Sequence, residues 1–189
     1  DSLIMKTKNI FLISIILFSL FSLLFSASGI AIDFGSEFIT TSIVRSRKPI
    51  ELVENPQGTK ANQYLYMKDD EKIFGQGAKV KAIKNPEAVF HHLQEFLGKT
   101  EESPELKNYL KKYFQTYDII TDERTHHIKF KVNYNEQQYL FNSQELLGMM
   151  FRYIKDFSEK YGKTDIKEFV ITVPCFYGYK QHQALLNAA

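Results

Sequence analysis

Three short apolar runs stand close together in the first third of the chain. They cover residues 30–32, 38–44 and 50–53, and segments containing glycine or proline separate them. Runs this short, rich in β-branched residues and bounded by turn residues, are typical of strands, so we expect an antiparallel meander. Because the first run is apolar at every position, we expect it to lie inside the sheet.

Two hairpins are predicted further along the chain. Residues 63–67 and 72–74 flank an acidic pair at positions 69 and 70, which suits a tight turn. In residues 128–132 apolar positions alternate with lysines, as they do in a half-buried strand. Residues 139–141 can pair with this strand across a turn at 133–136, which gives the second hairpin.

Four stretches carry helical signals. The first covers residues 76–84, before Pro86. The second and third have apolar residues three or four positions apart. These residues are Phe90, Leu93, Phe96 and Leu97, followed by Gly98, and then Leu106, Tyr109, Leu110, Tyr113 and Phe114. The fourth begins with a capping-box pair, Asn142 and Glu145, and continues to Gly162 as an apolar stripe that we interpret as core.

The last part of the chain is predicted to run helix, strand, loop and helix. Residues 169–173 form a continuous apolar run closed by Pro174, which predicts a buried strand. A further helix is expected from near Gln181. Such an alternation is typical of an α/β layer.

The first 28 residues have the layout of a secretory signal peptide. Residues 1–4 precede Met5 and are interpreted as upstream sequence; two lysines, an apolar run at 10–25 and small residues at 26–29 follow. A membrane anchor is the alternative, but the run is shorter than the roughly 20 residues of a spanning helix. We therefore expect cleavage, and no stable membrane insertion after it.

Composition narrows the functional classes. The 189 residues suit one domain, and Lys+Arg 24 against Asp+Glu 22 leave a net charge of +2. This balance gives no electrostatic case for nucleic-acid binding, which usually needs a basic face. A single cysteine, Cys175, excludes a disulfide within the chain, and its apolar neighbours predict a buried, unreactive thiol.

A polar segment after the first apolar run is a candidate for phosphate chemistry. Asp33 stands at the end of the predicted strand, and Gly35 follows two residues later. A carboxylate in this place can orient water around a magnesium ion, and a glycine lets backbone amides approach a phosphate. On these residues alone an ordinary hairpin turn is the favoured interpretation, because Asp-x-Gly-Ser occurs in many such turns.

Four segments in order along the chain resemble the seventy-kilodalton heat-shock protein superfamily. Residues 30–38 resemble its first phosphate loop, and residues 169–176 resemble its second signature. Residues 74–78 and 85–98 fall between them in the family's order and spacing. The Phe-Leu-Gly-Lys run at 96–99 and the signal peptide agree with the large endoplasmic-reticulum branch of the superfamily.

The resemblance implies an α/β, actin-like (ribonuclease-H-like) ATPase fold. The chain would hold an incomplete first lobe, with a mixed sheet flanked by helices. Residues 29–58 and 142–189 would form a base subdomain, and residues 59–141 an inserted one. The family binds ATP or ADP with magnesium. The implied function is a stress-response chaperone of the endoplasmic-reticulum lumen that assists unfolded clients and exchanges nucleotide on the lumenal seventy-kilodalton chaperone.

By position, the resemblance assigns roles to individual residues. Asp33 would hold the hydrated magnesium ion. The backbone amides that would cradle the β- and γ-phosphates are those of Gly35, Ser36, Glu37 and Phe38. Pro174 falls where the family has a proline implicated in signalling the nucleotide state, although a strand terminator explains it equally well.

One residue departs from the family pattern at a position that bears on ATP hydrolysis. Ordinary members have a lysine near the γ-phosphate, and the matching position here is Gln94. Glutamine places no positive charge against the developing phosphoryl charge. A non-hydrolysing nucleotide-binding scaffold is therefore one alternative, and a secreted sugar-kinase-like or carbohydrate-binding module is another. His91 and His92 are interpreted as solvated helix residues rather than as replacements for the lysine.

No catalytic residue is assigned within these 189 residues. In the family the second phosphate loop, the adenosine-binding segment and the substrate-binding region lie further along than the position of Ala189. We therefore expect this segment alone to show no ATPase activity and to bind ATP weakly, because it supplies one side of the nucleotide cleft.

Overall fold

The computed structural model describes residues 28–113 and 116–189. The predicted signal peptide, except for Ser28, lies outside these residues. The strands are β1 (Gly29–Phe34), β2 (Phe38–Val44), β3 (Glu51–Leu52), β4 (Lys60–Asn62), β5 (Tyr64–Lys68), β6 (Glu71–Phe74), β7 (Val89–His91), β8 (Ile119–Thr121), β9 (Ile128–Tyr134), β10 (Gln137–Asn142) and β11 (Glu168–Ile171). The α-helices are α1 (Gln76–Lys81), α2 (Pro104–Lys112), α3 (Ser143–Gly162) and α4 (Tyr179–Ala188).

The strands form three sheets. The largest has the order β11-β1-β2-β3, and β4 also pairs with β2. This sheet is mixed, because β1 and β11 run parallel whereas the other pairs are antiparallel. The two smaller sheets, β6-β5-β7 and β10-β9-β8, are antiparallel. Helix α3 packs against β2 of this sheet and against α4.

The predicted meander is confirmed. β1, β2 and β3 follow one another as antiparallel neighbours. β1 also lies between β2 and β11, as its apolar composition predicts, and Ile30, Ile32 and Phe34 are buried. The strand thus carries Asp33 to the edge of the sheet where the turn to β2 begins.

Both predicted hairpins are confirmed. β5 and β6 pair with Lys68 opposite Glu71, so the acidic pair forms the turn. β9 and β10 pair with Val132 opposite Tyr139. The alternation along β9 matches its burial, since Ile128, Phe130 and Val132 are buried and the lysines between them are not.

The helix that follows β10 begins at the predicted capping box. Asn142 Oδ1 accepts a hydrogen bond from the Glu145 amide at 2.8 Å, and Glu145 Oε2 accepts one from the Asn142 amide at 2.7 Å. Such a cap stabilises a helix by about 1 kcal/mol. The apolar stripe of α3 is buried, as expected for core.

Within residues 28–113 and 116–189, no helix has both the length and the apolar character needed to cross a bilayer.

The prediction of a helix from Val89 is wrong. The segment forms β7, which pairs with β5, and then a 3-10 turn over Leu93–Phe96. His92 separates the two because its φ of 53° lies in the left-handed region, which interrupts a right-handed helix. The apolar spacing reflects two short segments that face the same core. The buried residues are Phe90, Leu93, Phe96 and Leu97.

An aromatic cluster holds this 3-10 turn in place. The ring of Phe96 meets the ring of Phe130 edge to face at 5.0 Å and that of Tyr109 at 5.8 Å. The ring of Phe90 meets that of Phe130 at 6.0 Å. Each such pair contributes about 0.5–1.5 kcal/mol beyond the burial of area. Core contacts therefore hold the turn that carries Gln94, together with its own backbone hydrogen bonds, such as that from the Glu95 amide to His92 O at 3.0 Å.

The strand before Pro174 is not buried as predicted. Among the described residues β11 pairs only with β1, so it forms an edge of the sheet, and Val170 is 68% exposed. A run of apolar residues does not reveal whether a strand has one neighbour or two. The loop after β11 carries Cys175 to the surface, so the prediction of a buried thiol is also wrong.

Candidate functional site

The turn between β1 and β2 is open to solvent. It is closed by a hydrogen bond from the Gly35 amide to Phe38 O at 3.1 Å. Ser36, Glu37 and Phe38 are all exposed. The amides of Ser36 and Glu37 donate to no backbone carbonyl in the described chain, so these two donors can bind a ligand.

The close approach of Gly35 and Phe38 explains why a glycine stands at this position. A Cβ atom added to Gly35 would lie 2.7 Å from Phe38 O, which is shorter than real Cβ contacts. The contact is with the backbone, so no side-chain rotation relieves it. The tight turn therefore requires glycine for space.

Asp33 lies on the exposed end of β1, beside the end of β11. Thr172 Oγ1 donates a hydrogen bond to Asp33 Oδ1 at 3.0 Å, and the Phe34 amide donates to Thr172 Oγ1 at 3.0 Å. The hydroxyl thus uses both its donor and its acceptor to fix the carboxylate relative to the backbone. Since β1 and β11 are parallel, their carboxyl ends share one edge, where binding sites of α/β sheets commonly lie.

Gln94 lies in the 3-10 turn and is 8% exposed. The hydroxyl of Tyr177 donates a hydrogen bond to Gln94 O at 3.4 Å. Burial raises the pKa of Tyr177 to about 12, and the charge of Glu95 adds to this shift. The hydroxyl therefore keeps its proton at neutral pH and links the loop after Pro174 to the segment that carries Gln94.

A groove of about 550 Å³ brings the predicted residues from three parts of the chain together. The turn contributes Gly35 and Ser36, the 3-10 turn contributes Gln94, and the loop after β11 contributes Pro174. Asp33, Glu37 and Phe38 lie next to this groove in the chain without lining it. The other lining residues are Phe34, Glu95, Lys99, Glu105, Phe176, Tyr177 and Gln181.

The charges around the groove are largely compensated. Lys99 Nζ lies 3.6 Å from Glu95 Oε2, and Lys79 Nζ lies 3.4 Å from Glu37 Oε1. Gln94 adds no charge, and Glu105 adds a negative one. A polyphosphate in this groove would therefore depend on backbone amides and on a divalent cation more than on a free lysine.

His91 and His92 are not solvated helix residues as predicted. His91 lies in β7, and burial together with the neighbouring His92 lowers the pKa of His91 to about 4, so it is neutral at pH 7. His92 Nδ1 lies 3.0 Å from the hydroxyl of Tyr109. Neither histidine lines the groove, so neither replaces the missing lysine charge there.

Sequence reasoning missed several residues at or near the groove, among them three that fix the turn or supply charge. Thr172 fixes Asp33, Lys99 lines the groove, and Gln63 donates a hydrogen bond from Nε2 to Gly35 O at 3.0 Å. The only available signal was the position of Thr172 near the end of the predicted strand over residues 169–173. Gln63 stands 28 positions away from its partner in the sequence, and no local pattern indicates such a contact.

Comparison with known proteins supports the family resemblance that the four sequence segments indicate. A model of the family described as Hsp70 protein matches residues 29–189. The curated relatives include Hypoxia up-regulated protein 1 of Xenopus tropicalis, which is 32% identical to this chain over 165 residues. The proteins of the same name from Danio rerio and Homo sapiens are 34% identical over 165 residues and 30% identical over 179 residues, respectively. The alignments cover 87%, 87% and 94% of this chain, in that order, but 25%, 16% and 18% of the relatives. The chain thus spans a quarter or less of these proteins.

These similarities confirm the resemblance to the superfamily and to its large branch. They also confirm the expected fold class, because the mixed sheet and its flanking helices form part of the actin-like ATPase fold of that family. The described residues supply only a portion of that fold.

Proposed function

Because this chain belongs to the Hsp70 protein family, we propose that it forms the phosphate-binding side of an ATP site in a molecular chaperone. The observation that carries the proposal is the groove of about 550 Å³. The β1–β2 turn, the 3-10 turn with Gln94 and the loop with Pro174 all line it. A groove bordered by a turn with unbonded backbone amides suits a ligand with several anionic oxygens.

Asp33 and the turn would act on different parts of the ligand. The exposed Asp33 carboxylate would hold a hydrated magnesium ion, which prefers one or two carboxylates together with water and phosphate oxygens. The amides of Ser36 and Glu37 would donate to the β- and γ-phosphates, joined by Phe38. The Gly35 amide already donates to Phe38 O, so we assign Gly35 to the shape of the turn more than to direct phosphate contact.

The signal-peptide pattern of residues 1–28 and the family resemblance, rather than the groove, support a proposal for the cellular setting of this site. We propose that the complete protein, as the cell produces it, works in the endoplasmic-reticulum lumen after loss of residues 1–28. Unfolded proteins would be its clients, and the lumenal seventy-kilodalton chaperone would be a partner whose nucleotide it exchanges. Residues 29–58 and 142–189 would form the base subdomain and 59–141 the inserted one, with Pro174 signalling the nucleotide state.

A nucleotide-binding scaffold without turnover is the second candidate function. The observation that favours it is the neutral side chain of Gln94 in the groove, together with the pairing of Lys99 and Glu95. Phosphoryl transfer relies on positive charge near the transferred group. Binding without hydrolysis is therefore compatible with the same geometry.

Replacing Asp33 tests the proposed site. In the complete protein, Asp33→Asn is expected to lower MgATP affinity about tenfold, because a neutral amide binds hydrated magnesium more weakly than a carboxylate does. Isothermal titration calorimetry with and without magnesium measures this. Affinity for magnesium-free ATP is expected to change little.

Asp70→Asn provides the matched control, since Asp70 is an exposed carboxylate in the β5–β6 turn and does not line the groove. It is expected to bind MgATP as the unaltered protein does. Equal MgATP affinities of the Asp33 and Asp70 variants would remove Asp33 from the site, and absence of MgATP binding by the unaltered protein would refute the proposed function.

A further inference from the structure

Gln63 is a buried polar residue directly against the β1–β2 turn. It connects β4 to β5 and is 1% exposed. Its side-chain Nε2 donates a hydrogen bond to Gly35 O at 3.0 Å, and its backbone amide donates one to Glu37 O at 2.9 Å. One residue thus donates hydrogen bonds to two carbonyl groups of the turn, those of Gly35 and Glu37.

Holding these carbonyl groups also sets the direction of two amides. The Gly35 carbonyl and the Ser36 amide belong to one peptide unit, and the Glu37 carbonyl and the Phe38 amide belong to another. The described chain contains no cis peptide bond, so in each planar unit the C=O and N–H bonds point in opposite directions. With both carbonyls directed at Gln63, both amides are directed away from it.

The side chain of Gln63 also makes a hydrogen bond that a backbone amide of the turn could make instead. In a four-residue turn the first carbonyl commonly accepts a hydrogen bond from the fourth amide. Here Gly35 O accepts from Gln63 Nε2, and in this described turn the Phe38 amide makes no hydrogen bond to Gly35 O. The Phe38 amide therefore does not close the turn through a hydrogen bond to Gly35 O.

We infer that Gln63 is the positioning residue of the anion-binding turn, which directs the Ser36 and Phe38 amides outward to phosphate oxygens. The inference rests on the proposed function of the turn. Gln63 acts through the backbone and does not itself touch the ligand.

A buried acceptor without a partner supports this role. Gln63 Oε1 is buried and has no hydrogen-bond partner among the described atoms, which is unfavourable for folding. A methionine has a similar length and carries no such acceptor to desolvate. The presence of glutamine is thus poorly explained by stability and well explained by the donor that it supplies to Gly35 O.

Gln63→Met in the complete protein tests the inference. The variant is expected to melt at the same temperature as the unaltered protein or higher, and to bind MgATP and magnesium tripolyphosphate about tenfold more weakly, because two amide donors lose their fixed direction. Calorimetry and thermal melting give the two readouts. Gln138→Met is the control, since Gln138 is exposed on β10, away from the groove.

Gln63→Glu provides a second readout if the methionine variant loses stability. A protonated carboxyl group can donate to Gly35 O, whereas an ionised one is repelled by it, and burial raises the pKa of such a group. Relative to the unaltered protein at each pH, tripolyphosphate affinity of this variant is expected to recover as the pH falls from about 8 to about 5.5.

The outcomes separate the two claims. If the unaltered protein binds neither MgATP nor tripolyphosphate, the proposed function fails and the inference falls with it. If the unaltered protein binds them and Gln63→Met binds equally well, or Gln63→Glu shows no pH-dependent recovery, the turn binds anions without help from Gln63 and only the inference is overturned.

Discussion

Replacing Gln94 with lysine is expected to raise the ATPase rate of the complete protein by about a hundredfold, if turnover is limited by missing charge. Gln94 lines the groove with residues of the turn, and the resemblance to the family implies a lysine at its position in ordinary members. A preorganised donor or charge at a developing phosphoryl charge is commonly worth two to three orders of magnitude, roughly 2.7–4 kcal/mol in the barrier. Single-turnover hydrolysis of MgATP measures the chemical step apart from product release.

Two controls make this result interpretable. Gln183→Lys adds the same charge on α4 outside the groove and is expected to leave the rate unchanged. Because Gln94 is 8% exposed, thermal melting must show that the added lysine leaves the fold intact. A folded Gln94→Lys variant that binds MgATP but hydrolyses it no faster would show that another feature, rather than the absent lysine, limits turnover.

Replacing Gly35 with alanine is expected to reduce MgATP affinity at least tenfold. The new Cβ would lie 2.7 Å from Phe38 O, so the turn has to open and the adjacent amides change direction. Comparable overpacking costs about 1–3 kcal/mol, so the melting temperature is also expected to fall. Calorimetry on the complete protein measures the affinity.

Gly29→Ala is the matched control at the other end of β1. Its added Cβ would lie 3.3 Å from Glu168 O, a smaller conflict that slight movement relieves. It is expected to cost some stability and to leave MgATP affinity unchanged. If the Gly35 variant binds MgATP as tightly as the Gly29 variant, the tight turn has no part in nucleotide binding.

Local signals in the sequence were sufficient for the elements that form the phosphate turn. β1, the turn and β2 are contiguous, so two short apolar runs and the glycine between them predict these elements together. The capping box before α3 is local as well, because its two hydrogen bonds join residues three positions apart.

Features that depend on distant partners could not be predicted in the same way. The apolar residues of the segment after Val89 match a helix, but pairing with β5 and the left-handed conformation of His92 determine its structure. The burial of β11 depends on how many neighbours it has, which its own residues do not encode. The contact between Thr172 and Asp33 joins positions 139 residues apart.

Part of the groove could be predicted from the sequence, and part of it depends on contacts between side chains. Gly35, Ser36, Gln94 and Pro174, to which the resemblance to the family assigns roles, line one groove. The resemblance does not indicate the ion pair between Lys99 and Glu95, which decides how much free positive charge the groove offers. Side-chain geometry is therefore needed to separate a binding site from a hydrolytic one.

Hydrogen exchange at the β1–β2 turn tests the phosphate-binding role most directly. Ser36 and Glu37 are exposed residues whose amides make no backbone hydrogen bond in the described structure, so these amides should exchange rapidly in the complete protein without nucleotide. Saturating MgATP is expected to slow their exchange about tenfold or more, because the phosphate oxygens would accept hydrogen bonds from both. Unchanged exchange at these two amides under saturating MgATP would contradict a phosphate-binding turn.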